Sequence, residues 1–253
     1  MPASSKDSKE SVTAAARPVF VTTRWSVVLR AGRNDTTLAR AAMERLCQTY
    51  WYPLYAYVRK RGRSAEDAQD LTQEFFGQLI ERQAVAGADP QRGRFRSYLL
   101  KAMDHFLISD WKRAHAQKRG GTQAALSLDL ARAEERYDLE PADESSPDKV
   151  FEKQWALALL SGVLTRLEME HEREGKKALF TALKPSLMGA RESQPYVELA
   201  QQLGLNEGAV KVAVHRLRRR YKEMVRQEIA HTLGPGEDVE EEMRHLFQAL
   251  TGE

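Results

Sequence analysis

The stretch "PYVELAQQLGLNEGAVKVAVHRLRRRYK", residues 195–222, decides how the C-terminal half of this chain folds. Ala200 is small where two helices must approach closely, Gly204 follows where the chain must turn, and Val210 comes six positions later. This is the spacing of a helix-turn-helix. A bulky side chain at position 200 would force the helices apart. Glycine at 204 takes a positive φ at little cost, Val210 plugs the angle between the helices, and Asn206 suits the N-cap of the second helix. Along that helix Val210, Val214, Leu217 and Tyr221 recur at helical intervals and mark a buried stripe.

The basic residues lie off that stripe. Residues 206–222 hold six Lys or Arg against one Glu. Lys211, His215, Arg218 and Lys222 run beside the buried face, and Arg216, Arg219 and Arg220 widen the cationic surface. A solvated face would account for a lone helix of this kind. Joined to the turn spacing and the cap, the pattern points to DNA. The N-terminal half, with Asn206, Glu207 and Lys211, is expected to face base edges, and the Arg cluster to face phosphates.

The whole chain is consistent with a helical protein. Its 253 residues are 30% charged and 42% hydrophobic, an ordinary globular mixture with few strand-forming runs and room for two small domains. A net charge of +3 says little by itself, but the charges are unevenly placed. Residues 64–81 hold five acids and no base, residues 92–119 eight bases and two acids, and residues 237–242 five acids. The lone Cys47 excludes an internal disulfide and a Cys-based zinc cluster, and fits a reducing cytosol. No apolar run approaches the roughly 20 residues of a membrane span, and the N-terminus lacks the apolar core of a signal peptide. A cytoplasmic protein that does not enter membranes is expected.

The expected fold is all-α, in two helical domains joined by a flexible linker. Residues 1–18 are Ser, Ala and Lys rich and have little to bury. A first domain over 19–119 takes a helix from Thr36 bent at Pro53, with Leu38, Ala42, Leu46, Tyr50, Leu54, Tyr57 and Val58 inward. Its second helix starts at Ser64 and carries Ala68, Leu71, Phe75, Phe76, Leu79 and Ile80. A third, over 95–115, turns Phe95, Leu99, Ala102, Met103, Phe106 and Leu107 inward. Residues 120–149 read as a linker with a weak helical segment around "LSLDLARAEERY". A second domain covers 150–233, and an acidic amphipathic helix or tail covers 234–253.

Taken together, "SAEDAQDLTQEFFGQLI", "GRFRSYLLKAMDHFLISDWKRAHAQKR" and the helix-turn-helix resemble the extracytoplasmic-function sigma factors of bacterial RNA polymerase, in the sigma-70 superfamily. The resemblance spans residues 36–120 and 150–232, in the family's order. It implies a region 2-like bundle, a region 4-like domain, and a protein that binds core RNA polymerase through the β′ clamp helices and the β subunit. Asp67, Asp70, Leu71, Gln73, Glu74 and Phe75 occupy the polymerase-binding positions, where spacings of three and four put the carboxylates on one helical face. A surface carboxylate row over buried Phe75 and Phe76 is the plainer alternative for the same residues.

The basic segment matches the family's −10 region, which holds the melted strand. Binding a single strand needs cations for phosphates and aromatic faces for unstacked bases. Arg94, Arg96, Lys101, Lys112 and Arg113 supply the first, and Tyr98 and Trp111 are candidates for the second with core packing as the alternative for both, while Phe95 and Phe106 suit the core. His105 stands where the family commonly has Asn, which bears on sequence preference. The −35 element then falls to Asn206, Glu207, Lys211, His215, Arg216, Arg218, Arg219 and Arg220. Promoter DNA and core polymerase are the implied partners, with an anti-sigma factor or other regulator as a further one. The extra segments 19–35 and 234–253 have no place in the minimal pattern, and the acidic one could fold back on the basic surfaces as an internal inhibitor.

Two rivals remain. Glu168 with His171 and Glu242 with His245 repeat a Glu-x-x-His pattern found in di-iron bundles, but both lie among charged residues where a ligand site needs apolar neighbours. Asp67, Asp70 and Glu74 lack the companions a metal site needs. No phosphate-binding Gly loop or nucleophile elbow occurs, so neither an enzyme nor a cofactor is expected. The second rival is a stand-alone helix-turn-helix regulator, which would usually dimerise to read two half-sites.

Overall fold

A computed structural model describes residues 24–32, 37–81, 84–116, 130–138, 146–187 and 194–252. Among these residues there are ten α-helices and no strand. They are α1 (Trp25–Ala31), α2 (Thr37–Lys60), α3 (Ala65–Glu81), α4 (Phe95–Ala116), α5 (Leu130–Asp138), α6 (Pro147–Arg173), α7 (Lys177–Leu183), α8 (Tyr196–Leu203), α9 (Glu207–Ala230) and α10 (Val239–Thr251).

Local chemistry sets several of these boundaries. Ser64 caps α3, its Oγ accepting from the Asp67 N–H at 3.0 Å. Ser146 caps α6 in the same way from Lys149, with Pro147 at the first helical position, where its missing N–H costs nothing. Pro53 does not divide α2, which runs unbroken from Thr37 to Lys60 with Pro53 buried inside it. Leu38 and Ile80, expected inward, are exposed, because each lies at a helix end where no neighbour covers the stripe.

Helices from the two halves of the chain contribute to one core. Helix α6, from the second half of the chain, packs along α2 from the first, and both contribute to one cluster of buried residues. Phe151 of α6 stacks beside Tyr50 of α2 at 6.4 Å between ring centroids and meets Tyr57 edge-on at 6.5 Å. The physical reason is length. A helix of 27 residues spans about 40 Å, so its first turns reach α2 and α4 while its last turns reach α9. There, the Tyr221 hydroxyl donates to the Leu160 carbonyl at 3.2 Å, and Arg220 pairs with Glu170.

The expected linker contains α5, which ties these helices together. Arg59 of α2 donates to Glu134 at 2.7 Å, and Arg136 donates to Gln154 of α6 at 2.7 Å while lying 3.9 Å over the Tyr52 ring. The flanking residues 117–129 and 139–145, like residues 1–23, lie outside the described residues.

The described parts of both extra segments, residues 24–32 and 234–252, are docked. The Trp25 N–H donates to the His231 carbonyl at 3.0 Å, and the Arg24 guanidinium donates twice to buried Glu228 of α9, at 3.2 and 3.0 Å. Helix α10 packs on α6 and α9. The loop before it lies so close to the turn Pro90–Arg92 that a Cβ on Gly234 would run into the Pro90 carbonyl oxygen.

Candidate nucleic-acid interface

Helices α8 and α9 are joined through Gly204, Leu205 and Asn206. Gly204 ends α8 in the left-handed region, with φ at 63°, and the Leu205 N–H donates to the Ala200 carbonyl at 2.9 Å, closing the turn. Ala200 is buried. Asn206 then caps α9, its side-chain oxygen accepting from the Ala209 N–H at 2.7 Å. Val210, Val214 and Leu217 are buried along one stripe, so the opposite face of α9 is fixed outward.

That outward face carries part of the expected set. Lys211 is exposed and pairs with Glu207 at 2.7 Å, which raises the lysine's pKa above its ordinary value. His215 and Arg216 are exposed with no ion-pair partner among the described residues. Arg219 is exposed and pairs with Glu223 at 3.0 Å. Two of the expected phosphate contacts serve the fold instead. Arg218 donates to the Ser186 carbonyl at 3.1 and 2.8 Å, holding the turn Lys184–Leu187. Arg220 clamps Glu170 of α6 through two bonds of 2.9 and 2.8 Å, which holds the Glu170 carboxyl below its usual range.

Helix α4 divides in the same way. Lys101 and His105 are exposed, and Trp111 is 53% exposed. Ile108, not expected from the sequence, joins them at helical spacing and is also exposed. Tyr98 is half-buried, stacked on Phe95 at 6.0 Å between centroids. The Lys112 and Arg113 side chains lie outside the described residues.

Arg94 and Arg96, expected on the −10 surface, are turned inward. Arg96 is only 4% exposed and lies 2.8 Å from Glu152 of α6, 2.5 Å from Glu242 of α10, and 4.0 Å over the Trp155 ring. Burial works against its charge, but the two carboxylates outweigh it and raise its pKa. Arg94 meets the other oxygen of Glu242 at 2.7 Å and Glu237 at 3.6 Å. Glu242 is fully buried. Sequence periodicity marked the arginines as outward because nothing local shows that an acidic helix, distant in the chain, covers them.

On α3, Asp67 and Asp70 are exposed, and Leu71, Gln73 and Glu74 are half-buried. Glu74 accepts from Gln78 at 3.0 Å. Phe75 is not a surface anchor. It is 4% exposed and packs against Phe76 at 5.6 Å and Phe106 at 5.7 Å between centroids. Exposed residues near this face that the sequence pattern did not single out are apolar. Val212, Val197 and Leu205 are exposed on or beside α8 and α9, and Val212 lies only one residue from Lys211. Apolar contact with a thymine methyl group is one use for such a side chain. The signal was present, since Val212 falls off the stripe defined by Val210 and Val214.

The two Glu-x-x-His pairs do not form a metal site. Glu242 is held by two arginines, Glu168 lies 3.6 Å from Lys184, and the His171 ring packs 5.2 Å from that of Phe180. Among the described residues no group of three or more His, Cys, Asp or Glu is placed to hold a metal ion. No described helix is long and apolar enough to cross a membrane.

Comparison with curated proteins and with solved structures returned no match. Residues 46–117, from the middle of α2 through α4, match the family model for Sigma-70 region 2, which supports a place in the sigma-70 superfamily and a role in transcription initiation.

Proposed function

We propose that this protein is a cytoplasmic sigma factor of the extracytoplasmic-function type, which confers promoter recognition on core RNA polymerase and leaves the chemistry to the polymerase. One observation supports the reading: a region 2 match is followed, in one chain, by two helices joined at a left-handed glycine, the second capped by Asn206. The exposed carboxylates Asp67 and Asp70, with Leu71, Gln73 and Glu74, are assigned to the β′ clamp helices. Lys101, His105 and Trp111, with Lys112 and Arg113, are assigned to the −10 strand. Asn206, Glu207, Lys211, His215, Arg216 and Arg219 are assigned to the −35 major groove. DNA binding by the free protein is then weak and salt-sensitive, and becomes tight only when polymerase fixes the distance between the two readers.

The acidic C-terminal segment is assigned as an internal restraint. Its Glu242 and Glu237 pair with Arg94 and Arg96, two cations of the −10 segment that are thereby kept off the outward set. Release of α10 frees Arg94 and leaves Arg96 held by Glu152 and Trp155 alone, and an anti-sigma factor or other regulator would act on that step. Promoter binding that is unchanged after truncation at Gly234 would sink this part.

Co-elution with bacterial core polymerase on gel filtration tests the main reading, with Asp70→Arg/Glu74→Arg as control. The expected result is co-elution of the wild type and its loss in the variant. Absence of co-elution by the folded wild type would transfer the assignment to a stand-alone helix-turn-helix regulator.

A further inference from the structure

A concave site that promoter reading leaves unused lies where α1, α2, α6 and α9 converge. The cavity has a volume of about 480 Å³, in the range of small-molecule sites. Six guanidinium groups line it: Arg24 and Arg30 at α1, Arg45 on α2, Arg166 and Arg173 on α6, and Arg220 on α9. Two carboxylates oppose them. Buried Glu228 takes Arg24 and Arg166, and Glu170 takes Arg220. Arg30, Arg45 and Arg173 are exposed and have no ion-pair partner among the described residues.

Gathering six arginines around one cavity leaves repulsion that two carboxylates do not cancel, and a bound anion would cancel it. Arginine is the side chain whose fixed fork matches phosphate oxygens. Val27, Met169 and Met224 add an apolar part to the lining, and thioether side chains adapt to flat organic groups. Duplex DNA presents its charges along a wide rod. A cavity of this size instead admits a compact cluster of charge.

We propose that this cavity binds a multiply phosphorylated small molecule, its phosphates bridging Arg30, Arg45 and Arg173. The three arginines come from α1, α2 and α6, so the ligand would bind both halves of the shared core at once and favour the packed arrangement. The proposal does not depend on polymerase binding.

Isothermal titration calorimetry of the full chain at about 0.15 M salt, with inorganic tripolyphosphate as probe and orthophosphate as comparison, tests it. Saturable binding of tripolyphosphate is expected, with orthophosphate at least about tenfold weaker. Arg45→Ala/Arg173→Ala should weaken tripolyphosphate binding by about tenfold or more. Arg40→Ala/Lys149→Ala, which removes the same charge from exposed positions outside the cavity, should bind as the wild type does. Repeating the titration with ATP and GTP separates the ligand sources: tighter binding than tripolyphosphate assigns a nucleotide, and equal binding assigns the phosphate chain alone. Absence of saturable binding, or equal loss in both double variants, overturns the proposal. So does loss of duplex DNA binding, measured without tripolyphosphate, in Arg45→Ala/Arg173→Ala but not in Arg40→Ala/Lys149→Ala, since the arginines would then belong to DNA.

Discussion

Arg96 of α4 and Glu242 of α10 meet at 2.5 Å in a site closed to solvent, so an acidic helix near the C-terminus holds a helix of the region 2 match. Removing Glu242 takes from buried Arg96 one of its two carboxylates, leaving Glu152, and takes from Arg94 its nearer one, leaving Glu237 at 3.6 Å. Glu242→Ala should lower the unfolding free energy by about 3–5 kcal/mol, read from urea denaturation. Arg96→Met/Glu242→Leu, which removes the two buried charges and leaves Arg94 and Glu152 each short of a partner, should recover part of that loss. An unaltered midpoint in Glu242→Ala would show that the pair is not buried in solution.

The inward and outward arginines of α9 should separate by assay. Lys211→Ala and Arg216→Ala should weaken binding of a −35 duplex, each reducing the salt slope by about one, with the melting midpoint unchanged. Arg220→Ala should cost about 1 kcal/mol of stability, the upper end for a partly exposed pair. Equal effects of all three on both assays would contradict the division.

Gly204 takes a left-handed backbone that a Cβ disfavours, and nothing lies within 4 Å of the site where that Cβ would be. Gly204→Ala should therefore cost only the backbone term, about 1–2 kcal/mol, and Gly204→Asn less. Chemical denaturation of the two variants checks the order.

The Arg220 bond lowers the Glu170 pKa, so the pair contributes fully above the ordinary carboxylate range and is lost as pH falls through the lowered value. The stability difference between wild type and Glu170→Gln should hold from pH 7 to about 5 and shrink below about 4. A difference that persists at the lowest pH would exclude this linkage.

Cys47 is buried in α2, and burial pushes its thiol up to about 12. A thiol of that kind is protonated and screened from reagents. Ellman's reagent should label the native protein only at the rate of unfolding, and urea should remove the protection.

Much of the fold follows from local rules that a sequence displays. The Ala200, Gly204 and Val210 spacing, the Asn206 cap and the Ser64 cap concern residues a few positions apart. Phe95, Leu99, Met103 and Phe106 could be assigned inward from helical period alone. What stayed hidden depends on distant partners. Periodicity shows that α6 is amphipathic along its length, but not that its early turns meet Tyr50 and its later turns meet Arg220. Likewise an arginine that donates to a carbonyl, as Arg218 does to Ser186, looks the same in sequence as one left in water.

The stacking of Arg96 on Trp155 gives the protein an optical reporter of its own shape. Trp155 is buried at the junction of α4 and α6, with an acidic and a cationic group beside it. If the two halves part when polymerase or DNA engages, this indole passes into water and its emission shifts to longer wavelength. In a Trp25→Phe/Trp51→Phe/Trp111→Phe background, which leaves Trp155 as the one indole of the sequence, stopped-flow fluorescence would then time the opening without any attached label.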